Sequence, residues 1–365
     1  MSTNNSNTLI NEVALRGKRD TQQEYTVHLF EFCNLSCSFC WQDHNDRVGV
    51  DTVIEKLIPI EKFLQTERNK KVVFNIMGGE IFADAIYDDA LNNDYIKLAK
   101  GIVDLGEKYN IEVSINWVTN LVTSKLSLIE TLLVETRKLG VGSSLFTSFD
   151  PAGRFNKPNF EIFKKNLYYF KNDLDGIGIL LTRPNIFFWL NNPDSFLKQI
   201  YDDGFYIYAD YYMPDETAKF QAPSDEDMYN IFKLFIDDYP KIDPIASWIE
   251  RDTNYVSCRS SKLVLQDNTM CMCGNLVQGP NDKQMYNTNI QSMDNSEIEH
   301  KFLEKYDCLS CEYFDRCTLG CFMQHDYKHR EEVFDECVYK MTHRYIENKK
   351  IKNYIKAKQL YAVEA

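Results

Sequence analysis

Between residues 27 and 212 the chain alternates short apolar runs with longer stretches whose apolar residues recur at helical spacing, and this alternation narrows the fold more than any other feature. The runs at 27–32, 72–77, 111–118, 145–149, 177–181 and 205–212 read as strands. Helical spacing follows in Ile54, Leu57, Ile58 and Leu64, in Ile96, Ile102, Val103 and Leu105, and in Leu128, Ile129, Leu132 and Leu133. It returns over 158–171 and in Phe196, Leu197 and Ile200. Strands separated by helices predict a parallel sheet covered by helices. A closed barrel of eight units takes about 250 residues; six units over roughly 190 predict an open, partial (β/α)6 barrel of the α/β class.

The first run, with Val27, Leu29, Phe30 and Phe32, leads directly into Cys33, Cys37 and Cys40. Thiolates at this spacing chelate a single centre. A [4Fe-4S] cluster takes four ligands, so a loop with three leaves one iron open for a group that is not protein. A structural zinc loop is the competing reading, although the odd third cysteine does not suit it. Eleven cysteines in 365 residues also cannot all pair as disulfides, and metal binding accounts for them better.

In parallel α/β folds the carboxyl ends of the strands gather the ligand-binding loops. Three of these ends are polar here: Met77-Gly78-Gly79-Glu80, Thr119-Asn120-Leu121, and Ser148-Phe149-Asp150-Pro151 with Arg154 just beyond. Paired glycines let backbone approach a ligand, and a carboxylate or guanidinium there can hold an ammonium or carboxylate.

The cysteine loop after a strand, C-x3-C-x-aromatic-C, resembles that of the radical S-adenosylmethionine (SAM) enzymes, and Gly78-Gly79-Glu80 resembles their Gly-Gly-Glu motif. The resemblance implies a partial barrel of the radical SAM type. It also implies a cluster on Cys33, Cys37 and Cys40 with SAM at the open iron, where reduction generates a 5'-deoxyadenosyl radical. Carried over residue by residue, Phe39 takes the adenine-packing position, and Gly78, Gly79 and Glu80 hold the amino group of the methionine part. Asn120, Ser148 and Arg154 complete the cofactor set. Relatives often have Thr-Asn-Gly where this chain has Thr119-Asn120-Leu121.

The other eight cysteines come late. Cys258 precedes a strand-like run at 263–265, and a turn at Asp267-Asn268 leads to Cys271-Met272-Cys273. Cys308, Cys311, Cys317 and Cys321 then give C-x2-C-x5-C-x3-C, with Cys337 after them. This order resembles the SPASM extension of radical SAM enzymes. The resemblance implies a C-terminal cysteine-rich SPASM domain with two auxiliary [4Fe-4S] clusters, one on Cys258, Cys271, Cys273 and Cys321, the other on Cys308, Cys311, Cys317 and Cys337. Four-thiolate zinc sites would use the same ligands. The expected division is an extension at 1–22, the barrel at 23–215, a bridge at 216–248 containing a helix over 228–236, the SPASM domain at 249–340 and a terminal helix at 341–365.

Three clusters use all eleven cysteines. No thiol is left as the hydrogen donor that some related epimerases need, so a net oxidation of a peptide or protein side chain, by crosslinking or oxidation, is the first functional expectation. Sulfatase maturation is not assigned, because Met272 and Gly274 stand where those relatives place an aspartate after an auxiliary-cluster cysteine. The alternatives are the same chemistry on a free amino acid, nucleoside or sugar derivative, and a non-catalytic iron-sulfur carrier or sensor. His28, His44, Asp210, Tyr211 and Tyr212 are candidates for proton handling, and Tyr206 and Tyr208 for a cavity wall. The resemblance further implies an external electron donor such as a flavodoxin or ferredoxin. Only 32 residues precede Cys33, so a separate leader-binding protein is an expected partner. A net charge of −13 with no basic patch argues against a nucleic-acid partner, and the absence of a membrane-length apolar run or signal peptide points to the cytoplasm.

Overall fold

The computed structural model describes residues 22–40, 53–65, 71–212, 219–250, 261–264, 268, 270–271, 303–314, 317 and 334–349. In chain order these form β1 (Gln22–His28), α1 (Leu57–Leu64), β2 (Lys71–Met77), α2 (Asp89–Tyr109), β3 (Glu112–Val118), α3 (Leu126–Lys138), β4 (Gly142–Ser148) and α4 (Lys157–Tyr169). There follow β5 (Leu174–Leu181), α5 (Arg183–Asn191), α6 (Phe196–Asp202), β6 (Ile207–Tyr211), α7 (Asp225–Asp238) and α8 (Ile245–Glu250). Last come β7 (Ser261–Val264), β8 (Met270–Cys271) and α9 (Val338–Asn348).

The chain divides into two compact units, one of Gly17–Ile177 with Ser257–Asn295, the other of Met1–Arg16, Gly178–Val256 and Ser296–Ala365. In the first unit the strands lie in the order β5-β4-β3-β2-β1-β7-β8. Strands β1 to β4 and β7 pair in parallel, and β8 turns back antiparallel on β7. This is the expected α/β partial barrel, with one difference. The first strand of the late hairpin is β7, and it pairs with β1 from Glu24↔Ser261 to Val27↔Val264, so it extends the barrel sheet.

Alternation along the strands sets the two faces. On β2, Val72, Phe74 and Ile76 are buried, whereas Val73, Asn75 and Met77 are half-buried. Helices α2 and α3 pack against β3 and β4. On the other face Thr26, Asn75, Asn116 and Ser144 share one register row across β1 to β4. Within it Asn116 Nδ2 donates to Asn75 Oδ1 at 3.2 Å and Ser144 Oγ to Asn116 Oδ1 at 2.7 Å.

The end of β5 from Gly178 onward belongs to the second unit, together with β6. Gly178 leaves room for Tyr208, whose hydroxyl lies 3.0 Å from where a Cβ would stand. A capping box of Ser224 and Asp227 starts α7, which packs against α5 and α9. Phe232, Trp248 and Tyr339 form an aromatic core with centroids 5.1 to 6.0 Å apart.

The apolar periodicity carries no sign of α5. It is apolar on more than one side, with Phe187 and Leu190 exposed, so no stripe marks it. Its start is written in the Thr182 cap, which accepts from Asn185 N, and in Pro184 in the first turn. The first expected strand began at Val27, whereas β1 begins at Gln22 and ends at His28. The described part of the expected terminal helix is α9; residues 350–365 lie outside the described residues, as do 1–21. Among the described residues no helix is long and apolar enough to cross a membrane.

Candidate active site at the strand ends

Beyond His28 the chain stays buried through Phe30 and runs along the end of β2. Leu29 N donates to the Met77 carbonyl at 2.8 Å, Gly79 N to that of Phe30 at 2.7 Å and Glu80 N to that of Phe32 at 2.8 Å. Backbone therefore lies against backbone at Gly79, where a Cβ would overlap the carbonyl oxygens of Glu31 and Phe32. A strand that delivers cysteines and a turn that must approach them closely explain the second glycine of the motif.

Glu80 is 1% exposed. Its Oε1 accepts from Phe82 N at 2.9 Å and from the Thr119 hydroxyl at 2.8 Å, and its Oε2 accepts from Asn120 N. Burial pushes its pKa up to about 7 against the pull of these donors and of Arg154. The carboxylate that the sequence offers to an ammonium thus also ties the end of β2 to the end of β3.

At the end of β3 the backbone does what the missing glycine would do. Leu121 adopts φ +57°, the left-handed conformation that glycine supplies without strain, while its side chain is fully buried. The turn is held from several sides. Asn166 of α4 donates to the carbonyls of Leu121 and Thr123, both at 2.8 Å, and Asp84 accepts from the Thr123 hydroxyl and Ser124 N, also at 2.8 Å. The Asn120 carboxamide then faces the cysteine loop: Nδ2 donates to Asn34 Oδ1 at 2.8 Å and to Cys33 Sγ at 3.8 Å, and Oδ1 accepts from Val122 N at 2.8 Å. Asn34 answers by donating to the Val122 carbonyl at 2.6 Å.

The end of β4 closes the other side. Arg154 Nε and Nη2 both reach Asp150 Oδ2, at 2.9 and 2.8 Å, and the Asp150 side chain is wholly buried. The guanidinium sits 5.4 Å from the Phe39 ring centroid. Gly153, at φ +93°, accepts from Ser38 N at its carbonyl oxygen at 3.0 Å, and a Cβ there would strike the Ser38 side chain.

Cys33, Cys37 and Cys40 are half-buried and form no disulfide. Burial pushes Cys33 up to about 12, with Leu35 N–H working against it and Glu80 and the other two cysteines adding to it. Burial also raises Cys37, opposed first by Arg154. The three thiols feel one another, yet among the described residues no three His, Cys, Asp or Glu donors converge as ligands of a single metal ion. A cluster asks for a different arrangement, because each thiolate binds its own iron. A soft, thiol-only donor set with a cation and an amide donor beside it fits a cluster that draws off the thiol protons.

Ser148 ends β4, half-buried. His28 ends β1 at 2% exposure, its pKa lowered to about 4 by burial and then by buried Lys56. Asp210, Tyr211 and Tyr212 follow one another at the end of β6 in the second unit, where Asp210 is exposed, Tyr211 half-buried and Tyr212 buried. Tyr206 is exposed, and its hydroxyl donates to Asp243 at 2.7 Å. His44, Cys258, Cys273 and Cys321 lie outside the described residues; Cys271 closes β8.

In the second unit Cys308 opens a short 3-10 turn and is 6% exposed, and Cys311 N donates to its carbonyl at 3.1 Å. Cys317 N donates to the Tyr313 carbonyl at 2.8 Å. Cys337 stands at the N-cap position of α9; burial raises its pKa, the N–H groups of Lys340 and Tyr339 oppose that, and Cys311 adds to it. Asn34, Gly153 and Asn166 were not among the expected site residues. Asn166 carried a signal, a polar residue between Phe163 and Leu167 on the buried side of α4.

The fold is shared with solved structures. Over 92% of this chain and 98% of the other it matches tagged anSMEcpe with bound AdoMet, at a TM-score of 0.60 and 15% identity. It also matches Streptococcus suis SuiB bound to S-adenosylmethionine over 87% of this chain and 75% of the other, at a TM-score of 0.51 and 15% identity. No family model and no curated protein matches the sequence.

Proposed function

We propose that this chain is a radical SAM enzyme that oxidatively modifies a side chain of a peptide or protein. The observation that carries the proposal is the Cys33, Cys37 and Cys40 loop, bound through Asn34 and Gly79 to strand ends that also present Glu80 and Arg154. The fold shared with two AdoMet-bound structures supports it. The three thiolates would hold a [4Fe-4S] cluster and leave one iron for the cofactor. Phe39, Gly78, Gly79, Glu80, Asn120, Ser148 and Arg154 would hold the cofactor. When bound, cluster and cofactor supply a one-electron reductive cleavage to methionine and a 5'-deoxyadenosyl radical that takes a hydrogen atom from the substrate.

The chain's own part is positional and electrostatic. Glu80, Thr119 and Asn120 fix two strand ends to each other, and Asn120 and Asn34 fix the cysteine loop to them. Arg154, paired with buried Asp150, places its positive charge beside Cys37, where loss of the thiol proton leaves negative charge. Neutral, buried His28 adds no charge to this end of the barrel near neutral pH.

The finer parts of the proposal rest on the sequence pattern. Two auxiliary [4Fe-4S] clusters of SPASM type would use Cys258, Cys271, Cys273 and Cys321, and Cys308, Cys311, Cys317 and Cys337. The second set gains support from the electrostatic contact of Cys311 with Cys337. The use of every cysteine favours a net oxidation. An external flavodoxin or ferredoxin would supply the electron, in the cytoplasm. Anaerobic reconstitution with iron and sulfide, followed by reductant and SAM, tests the reading. It predicts about twelve irons per chain and release of 5'-deoxyadenosine with methionine; iron loading without either product removes it.

A further inference from the structure

We infer that Asn166 of α4 is a positioning residue for the cysteine loop: it fixes the left-handed turn at Leu121 so that Asn120 and Asn34 hold Cys33, an inference that rests on the cluster reading above. The contacts that link these residues all lie within one compact unit. Asn166 is 2% exposed on the apolar side of α4, where a carboxamide is costly unless its hydrogens are used. Both are, on the carbonyls of Leu121 and Thr123, each at 2.8 Å. Those carbonyls flank Val122, whose own carbonyl accepts from Asn34 Nδ2 at 2.6 Å and whose N–H donates to Asn120 Oδ1 at 2.8 Å. Asn120 Nδ2 then bridges Asn34 Oδ1 and the Cys33 sulfur.

A leucine at φ +57° persists only where its surroundings over-determine it. Glycine would reach this conformation freely and would also let the turn relax. Leucine removes that freedom, and its buried side chain adds an anchor, but the left-handed form then has to be offset by contacts such as those of Asn166. The sulfur at the far end gains an N–H donor, which on a cluster ligand both orients the thiolate and stabilises added negative charge.

Amide hydrogen exchange followed by mass spectrometry on the full-length chain, metal-free and after reconstitution, tests the inference with Asn166→Ala and the near-isosteric Asn166→Asp. The expected result is exchange about fivefold faster in peptides covering 119–124 and 33–35, the equivalent of one net hydrogen bond, with the α4 amides at their original rate. Asn120→Ala should speed 33–35 by a similar factor and serves if the Asn166 variants fold poorly. Unchanged exchange at 33–35, or equal acceleration throughout α4, overturns the positioning role. The metal-free arm needs neither cluster nor cofactor, so a chain that fails to cleave SAM can still show the coupling. After reconstitution, the cluster that responds to SAM should have a more negative midpoint potential in Asn120→Ala and in Asn166→Ala, by the same amount in the double variant; additive shifts also overturn it.

Discussion

Cys37 and Cys337 are both half-buried thiols raised by burial, and the chain relieves them by different means. Beside Cys37 stands a full positive charge, Arg154, with its own buried counter-ion Asp150. Beside Cys337 stand the N–H groups of Tyr339 and Lys340 at the start of α9, a fixed dipole, and the nearby Asp225 carboxylate works against them. The first arrangement suits a site that must accept a charged ligand and rebalance charge. The second suits a ligand held once and left alone. Side-chain bracing also differs: Asn34, Asn120 and Glu80 knit the first loop to strand ends, whereas the second set lies among backbone turns, with Tyr313 donating to Glu347 at 2.9 Å and Arg344 donating to Glu336, next to Cys337, at 2.8 and 2.9 Å.

The largest expected effect separates the two sets by function. Cys33→Ala, Cys37→Ala or Cys40→Ala should each remove about four irons per chain and abolish SAM cleavage, while Cys308→Ala or Cys337→Ala removes a similar amount of iron and leaves cleavage measurable. Iron analysis and a 5'-deoxyadenosine assay decide it, and loss of cleavage in both sets would erase the distinction.

Next comes the buried ion pair. Arg154→Ala should destabilise the metal-free protein by about 3 kcal/mol or more, because it strands the Asp150 carboxylate, and Asp150→Asn in that background should recover much of the loss. On the other side Lys340→Ala should cost less than about 1 kcal/mol, since its side chain makes only a partly exposed pair with Glu336 at 3.3 Å. Denaturant melts of the variants give both numbers. Gly79→Ala should cost about 1–3 kcal/mol in the same assay by forcing the Glu31 and Phe32 carbonyls away.

The smallest effect is a pair of opposed pH dependences. Glu80, raised from 4.5 to about 7, contributes stability that is complete below its unfolded value and lost as pH rises to about 7. His28, lowered from 6.5 to about 4, contributes stability that is complete above its unfolded value and lost as pH falls to about 4. Between about pH 5 and 6.5 the two slopes oppose each other. Metal-free His28→Gln should therefore lose stability as pH rises through this window, and Glu80→Gln should gain it; parallel curves for the two variants contradict the assignment.

Much of the barrel was legible because strands such as β2 and β4 alternate in burial and most of its helices are amphipathic. The run around Val72 to Ile76 and the glycine turn after Met77 fell where they were read. What stayed hidden depends on contacts distant in sequence. The glycine that relatives carry at Leu121 hints at its conformation, but the Asn166 contact on that turn comes from 45 residues on and has no local sign. Nor does the run at 263–265 reveal that it pairs with β1, since register with a strand so far away is set by the sheet and not by its own pattern. The cysteine loop was read from its spacing, whereas Asn34 and Gly153, which contact that loop, have partners that exist only once strand ends are brought together.

The central claim is that the first cysteine loop leaves a coordination position open for the cofactor. Electron paramagnetic resonance of the reduced, reconstituted chain with and without SAM measures this directly. The signal of one cluster should change on adding SAM, and the change should vanish in Cys33→Ala, Cys37→Ala and Cys40→Ala while the remaining signals persist. A fully loaded chain whose spectrum ignores SAM, or a response that survives in all three variants, would contradict it.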